Sequence, residues 1–150
     1  MGRVVDYRIN LKGASNLKDI EKMCYESNII LPKEYKYFLS RTNGIEFGWE
    51  ADATICSLEE VKELHRIFSD YYPREMIVIA TASGGNVHIL LETKSKNEFK
   101  IFVTDVIGCD RIAYLGNNFS DFLDAFITTY GYPFWEEWIK DSSKGIFKLN

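Results

Sequence analysis

At Met76 the spacing of the apolar residues changes, and that change limits the folds open to this chain. Upstream, apolar residues recur at helical intervals: Leu17, Ile20 and Cys24; Tyr35, Phe38 and Leu39; Val61, Leu64 and Phe68. From Met76 they come instead in short runs rich in β-branched residues. These runs are Met76 to Ala80, Val87 to Glu92, Phe99 to Val106 and Ile112 to Leu115. Between them lie Ser83-Gly84-Gly85-Asn86, the polar stretch Thr93 to Glu98, and Gly108 to Arg111. Consecutive strands joined by short polar turns form an antiparallel meander. The helical interval returns with Phe119, Phe122, Leu123, Phe126, Ile127 and Tyr130. The expectation is a single α+β domain spanning 1–150, with a largely antiparallel meander sheet of about four or more strands flanked by N- and C-terminal helices.

Local punctuation supports these elements. Ser15 is placed to cap the first helix, and Pro32 to open the second at a position where its missing N–H costs nothing. Asn43-Gly44 stops that helix with residues that tolerate the left-handed conformation. Ser57-Leu58-Glu59-Glu60 is a capping-box pattern, and the helix it starts ends before Pro73. Asn118 caps the last long helix and Gly131 ends it. Tyr132 to Trp138 reads as a short final helix.

Composition excludes several classes. The chain carries a net charge of −4 and no dense Lys/Arg cluster, so nucleic acid is not the expected partner. Its three cysteines, Cys24, Cys56 and Cys109, are odd in number and far apart. That pattern suits neither a disulfide scaffold nor a zinc site, and points to a reducing compartment. Met1 to Asp6 has no apolar stretch of the signal-peptide kind, and no apolar run approaches membrane-spanning length. The expected location is the cytoplasm, with no membrane association.

The residue types that carry catalysis are present without the arrangements catalysis needs. A Cys–His pair would have to draw on Cys24, Cys56 or Cys109 with His65 or His88. Cys24 lies on an apolar stripe, and Cys56 and Cys109 sit where exposure is open but no base is at hand. Neither histidine has a companion at metal-ligand spacing. Of the carboxylate pairs Glu59/Glu60, Asp105/Asp110 and Glu136/Glu137, Glu60 is engaged in capping and the others read as solvated faces. Gly84-Gly85 lies between strands rather than before a helix, so it is a hairpin turn and not a phosphate loop. The chain is expected not to be an enzyme, and to need no metal or other cofactor.

A binding role is the remaining class. Aromatic residues make up 15% of the chain, enough to fill a core and still supply a contact surface. Tryptophan and acidic residues coincide outside the core stripes in two places, Phe47 to Asp52 and Trp135 to Trp138. The expected partner-binding surface is therefore Trp49, Glu50, Asp52, Glu136 and Glu137. Trp135 and Trp138 would share a helical face, which either seals the edge of the core or anchors a partner.

Five local patterns in order carry a resemblance. Leu31-Pro32-x-x-Tyr35-Lys36-x-Phe38-Leu39 followed by Asn43-Gly44 resembles the opening motif of the SUKH superfamily, the Smi/Knr-type proteins. Ser57-Leu58-Glu59-Glu60-Val61, Ser83-Gly84-Gly85-Asn86, Phe102-Val103-Thr104-Asp105 and Asn118-Phe119-Ser120-Asp121-Phe122-Leu123 are similar to its later motifs. The likeness covers roughly 15–130. It implies a non-catalytic binding fold. Bacterial members are commonly immunity proteins that neutralise a cognate polymorphic toxin, often a nuclease. Eukaryotic members are regulatory interaction modules, so a regulatory or scaffolding module is the alternative reading. The motifs read as structural and carry over no binding residues.

Overall fold

A computed structural model describes residues 9–48, 52–95, 98–105, 111–136 and 146–148. Among them the sheet is a single eight-stranded antiparallel meander in which every strand pairs with its neighbour in sequence. Its long central strands are β4 (Met76–Ala82), β5 (Val87–Ser95), β6 (Glu98–Asp105) and β7 (Arg111–Gly116). These are the strands the sequence predicts. Four shorter ones extend the sheet: β1 (Ile9–Leu11), β2 (Ile45–Phe47), β3 (Thr54–Ile55) and β8 (Ile146–Lys148). At two or three residues each, they are too short to show an alternating pattern. Phe47, which the sequence places in a stretch outside the core stripes, is instead a buried strand residue.

The helices interrupt the meander at three places. α1 (Leu17–Ser27) and α2 (Lys33–Arg41) lie between β1 and β2, α3 (Leu58–Ile67) between β3 and β4, and α4 (Phe119–Thr128) between β7 and β8. Side chains alternate across the sheet. Ile77, Ile89, Leu91, Ile101, Val103, Ala113 and Leu115 enter the main core. There they meet Ile20 and Met23 of α1, Tyr35 and Leu39 of α2, and Phe119, Phe122 and Phe126 of α4. The opposite residues, Met76, Val78, Leu90, Phe102 and Ile112, form a second cluster with Tyr72. Both faces of β4 are covered, so it reads as a continuous apolar run rather than an alternating one. A register shift between Val78 and Ala80 adds one residue to β4 opposite β5.

Two sequence expectations shift by a residue. The cap of α1 is Asn16, whose side chain accepts from Lys18 N at 2.7 Å, and not Ser15. Ser15 N instead donates to Leu39 O at 2.9 Å, which ties α1 to α2. With the helix starting there, Leu17 faces solvent and the buried stripe is Ile20, Met23 and Cys24. Pro32 stands at the cap of α2, one position before its first turn.

The Asn43-Gly44 and Ser-Leu-Glu-Glu motifs form one device. Asn43 Oδ1 accepts from Leu58 N and Asn43 Nδ2 donates to Glu59 Oε2, both at 2.8 Å. Asn43, the second residue past α2, thus completes the N-terminus of α3, beside the reciprocal Ser57–Glu60 capping box. Gly44 has φ +100°, and a Cβ there would stand 2.8 Å from Ile55 O and 2.9 Å from Ser57 N. Only glycine fits that approach.

Candidate partner-binding surface

The described ends of the β2–β3 connection are hydrogen-bonded to each other. Phe47 N donates to Ala53 O at 3.0 Å, and Asp52 N to Gly48 O at 3.2 Å. Asp52 has a left-handed backbone, φ +44°, a conformation that Asp tolerates better than most residues. Its carbonyl accepts from Gly84 N at 3.2 Å, so the loop is tied to the β4–β5 turn. On its other side the buried Ala53 packs directly on Gly131, just beyond α4. The Phe47 and Phe126 rings, 5.4 Å apart, complete the join.

After Gly131 the chain turns back into the core. Phe134 lies 6.1 Å from the Phe122 ring and 6.2 Å from Phe126, with Trp135 5.3 Å from Phe134. Phe134 and Trp135 are buried and Glu136 is exposed. Trp135 therefore seals the edge of the core, one of the two readings its spacing allowed. Of the five residues expected to bind a partner, Asp52 and Glu136 are exposed, on two segments that meet at Ala53 and Gly131. Trp49, Glu50 and Glu137 lie outside the described residues, as do Cys109 and Trp138. The Ala53–Gly131 approach was not predicted, because no local pattern links residues so far apart in the chain.

The groups with shifted protonation are engaged in the fold. Cys56, whose exposure the sequence left open, is fully buried, and burial pushes its thiol far above the ordinary range. Its carbonyl accepts from Tyr35 Oη at 2.9 Å. Burial also raises the Tyr35 hydroxyl and the Cys24 thiol. A thiol held as the neutral acid is a poor nucleophile. His88 is buried and burial lowers it to about 4, so its ring is neutral at pH 7. Its Nδ1 shares a 2.8 Å hydrogen bond with Tyr72 Oη. Burial alone would raise Glu60, but hydrogen bonds from Lys12 and Ser57 together with the Lys12 charge outweigh it and lower the carboxyl. Lys12 also pairs with Glu46 at 3.3 Å, which fastens β1 and β2 to α3. Among the described residues, no group of three or more His, Cys, Asp or Glu is placed to hold a metal ion. No helix among them is long and apolar enough to cross a membrane.

An α+β meander with capped helices on its core face, and with its shifted thiols and His88 inside the fold, defines a compact structural domain. The SMI1 / KNR4 family (SUKH-1) matches residues 14–125, and the chain belongs to that family. The match spans all five sequence motifs and ends within α4. No curated protein matches the chain.

Proposed function

We propose that this domain is a non-catalytic protein-binding module, an immunity protein that neutralises a cognate polymorphic toxin by stoichiometric binding in the cytoplasm. Membership of the SMI1 / KNR4 family (SUKH-1) over residues 14–125 carries the reading. Two features agree with it. The chain has a net charge of −4, and a nuclease toxin presents a basic cleft, so complementary charge would speed encounter. Cys24, Cys56 and Tyr35 are buried with raised pKa values, which suits packing and not chemistry.

The partner-facing surface is the acidic one drawn from Trp49, Glu50, Asp52, Glu136 and Glu137. The decisive experiment is co-expression with each toxin-like gene adjacent to the coding sequence, scored by survival and by co-purification. Rescue with a one-to-one complex is the expected result. Failure with every neighbouring gene, together with stable capture of a host regulatory protein, would favour the regulatory-module reading.

A further inference from the structure

Between the end of α3, the segment that follows it and the start of β4 lies a cleft of about 320 Å³. That is the small end of the roughly 300–1,000 Å³ usual for small-molecule sites. Phe68, Tyr72, Met76 and Val78 give it apolar walls. These walls are held in place from behind. The Phe68 ring stands edge-on to His88 with centroids 4.6 Å apart, and Tyr72 Oη is hydrogen-bonded to His88 Nδ1 at 2.8 Å.

The polar side chains of the lining include Arg74, His65 and Ser69, and Arg74 is the fixed charge among them. No carboxylate lines the cleft. Arg74 is exposed and forms no ion pair among the described residues. Its charge is felt at His65, where burial first and Arg74 second lower the pKa. A guanidinium offers parallel N–H donors that match a carboxylate, and an uncompensated one beside apolar walls selects an anion with a hydrocarbon body. Those same walls disfavour a strongly hydrated anion such as phosphate.

We propose that this cleft binds a small apolar monocarboxylate, its carboxylate on the Arg74 guanidinium and its hydrocarbon body against Phe68, Tyr72, Met76 and Val78. His65 supplies a second N–H donor at the mouth. The site does not depend on the toxin partner and stands or falls separately from it.

The test is a ¹⁵N–¹H NMR titration of the full chain with 3-phenylpropionate and with octanoate, each against its matched alcohol. Both acids are expected to shift amides from Leu64 to Val78 saturably at millimolar concentration. Each acid should bind about tenfold more tightly than its alcohol, a difference of about 1.4 kcal/mol. Arg74→Gln, a change at an exposed side chain, should abolish that preference while the rest of the spectrum is unchanged. The tighter of the two acids identifies the body as aryl or alkyl. Absence of saturable shifts, equal binding of acids and alcohols, shifts that map elsewhere, or a preference that survives Arg74→Gln would each overturn the proposal.

Discussion

Gly131 and Ala53 pack so closely that no side-chain carbon fits between them, and this contact fastens the β2–β3 loop to the end of α4. Gly131 also has φ +75°, a region costly for L side chains. Gly131→Ala would meet both penalties at once. It should cost at least about 2 kcal/mol, combining left-handed strain with overpacking. Urea unfolding measures this directly. A melt unchanged from the parent would show that the loop yields, and that the acidic segments are not held together by this contact.

Phe122 of α4 is fully buried, with 0% exposure, and it packs against Phe119, Phe126 and Phe134. Phe122→Ala leaves a cavity that its aromatic neighbours fill poorly, and should cost about 3–5 kcal/mol by thermal or denaturant unfolding. A loss under 1 kcal/mol would mean the cluster repacks freely.

His88 makes stability depend on pH with a definite sign. Its folded pKa of about 4 lies below the ordinary value of 6.5. Between those values the unfolded chain holds a proton that the folded one rejects, so stability rises with pH. The contribution is complete above about pH 6.5 and is lost as pH falls toward 4, by about 3 kcal/mol over the window. His65, also lowered, bends the curve the same way. Urea midpoints at pH 4.5, 5.5 and 7 give the slope, and His88→Gln should flatten most of it. An equal slope in the variant would move the effect to other groups.

The four central strands and all four helices were legible in the sequence because each is long enough to show its period. The capping box was legible because Ser57 and Glu60 are three residues apart and each completes the other. What the sequence withheld is contact between distant segments. Nothing local says that Asn43 will cap α3, that Lys12 will reach Glu60, or that Ala53 will meet Gly131. Burial of Cys56 was hidden for the same reason, since the strands that cover it come from elsewhere in the chain. The proposed acidic surface rests in the sequence on composition alone, and the structure adds only that Asp52 and Glu136 are exposed on joined segments.

Burial of Cys56 and Cys24 predicts their reactivity. In a Cys109→Ser background the native protein should react with a thiol-specific disulfide reagent only as fast as it opens, and both thiols should titrate in urea. Rapid labelling of the native chain would contradict the burial of Cys56. Tyr35→Phe, which leaves the Cys56 carbonyl without its hydroxyl donor, should cost about 1–3 kcal/mol.

The proposed acidic surface gives the prediction with most at stake, because it separates encounter from lifetime. Charges at the rim of an interface set the association rate and its salt dependence, whereas a buried anchor sets the dissociation rate. Asp52→Asn with Glu136→Gln neutralises two exposed carboxylates, and Asn tolerates the left-handed backbone at position 52. Against the cognate toxin, surface plasmon resonance should show slower association and a weaker dependence on ionic strength, with dissociation nearly unchanged. Trp49→Ala should instead speed dissociation, by about 2 kcal/mol or more if that ring is the anchor. Trp135→Ala is the contrasting case. Its ring is buried against Phe134, so it should destabilise the fold by about 3–5 kcal/mol, whether or not a partner is present. Folded variants at positions 49, 52 and 136 with unaltered rate constants at every salt concentration would place the toxin-binding face elsewhere on the domain.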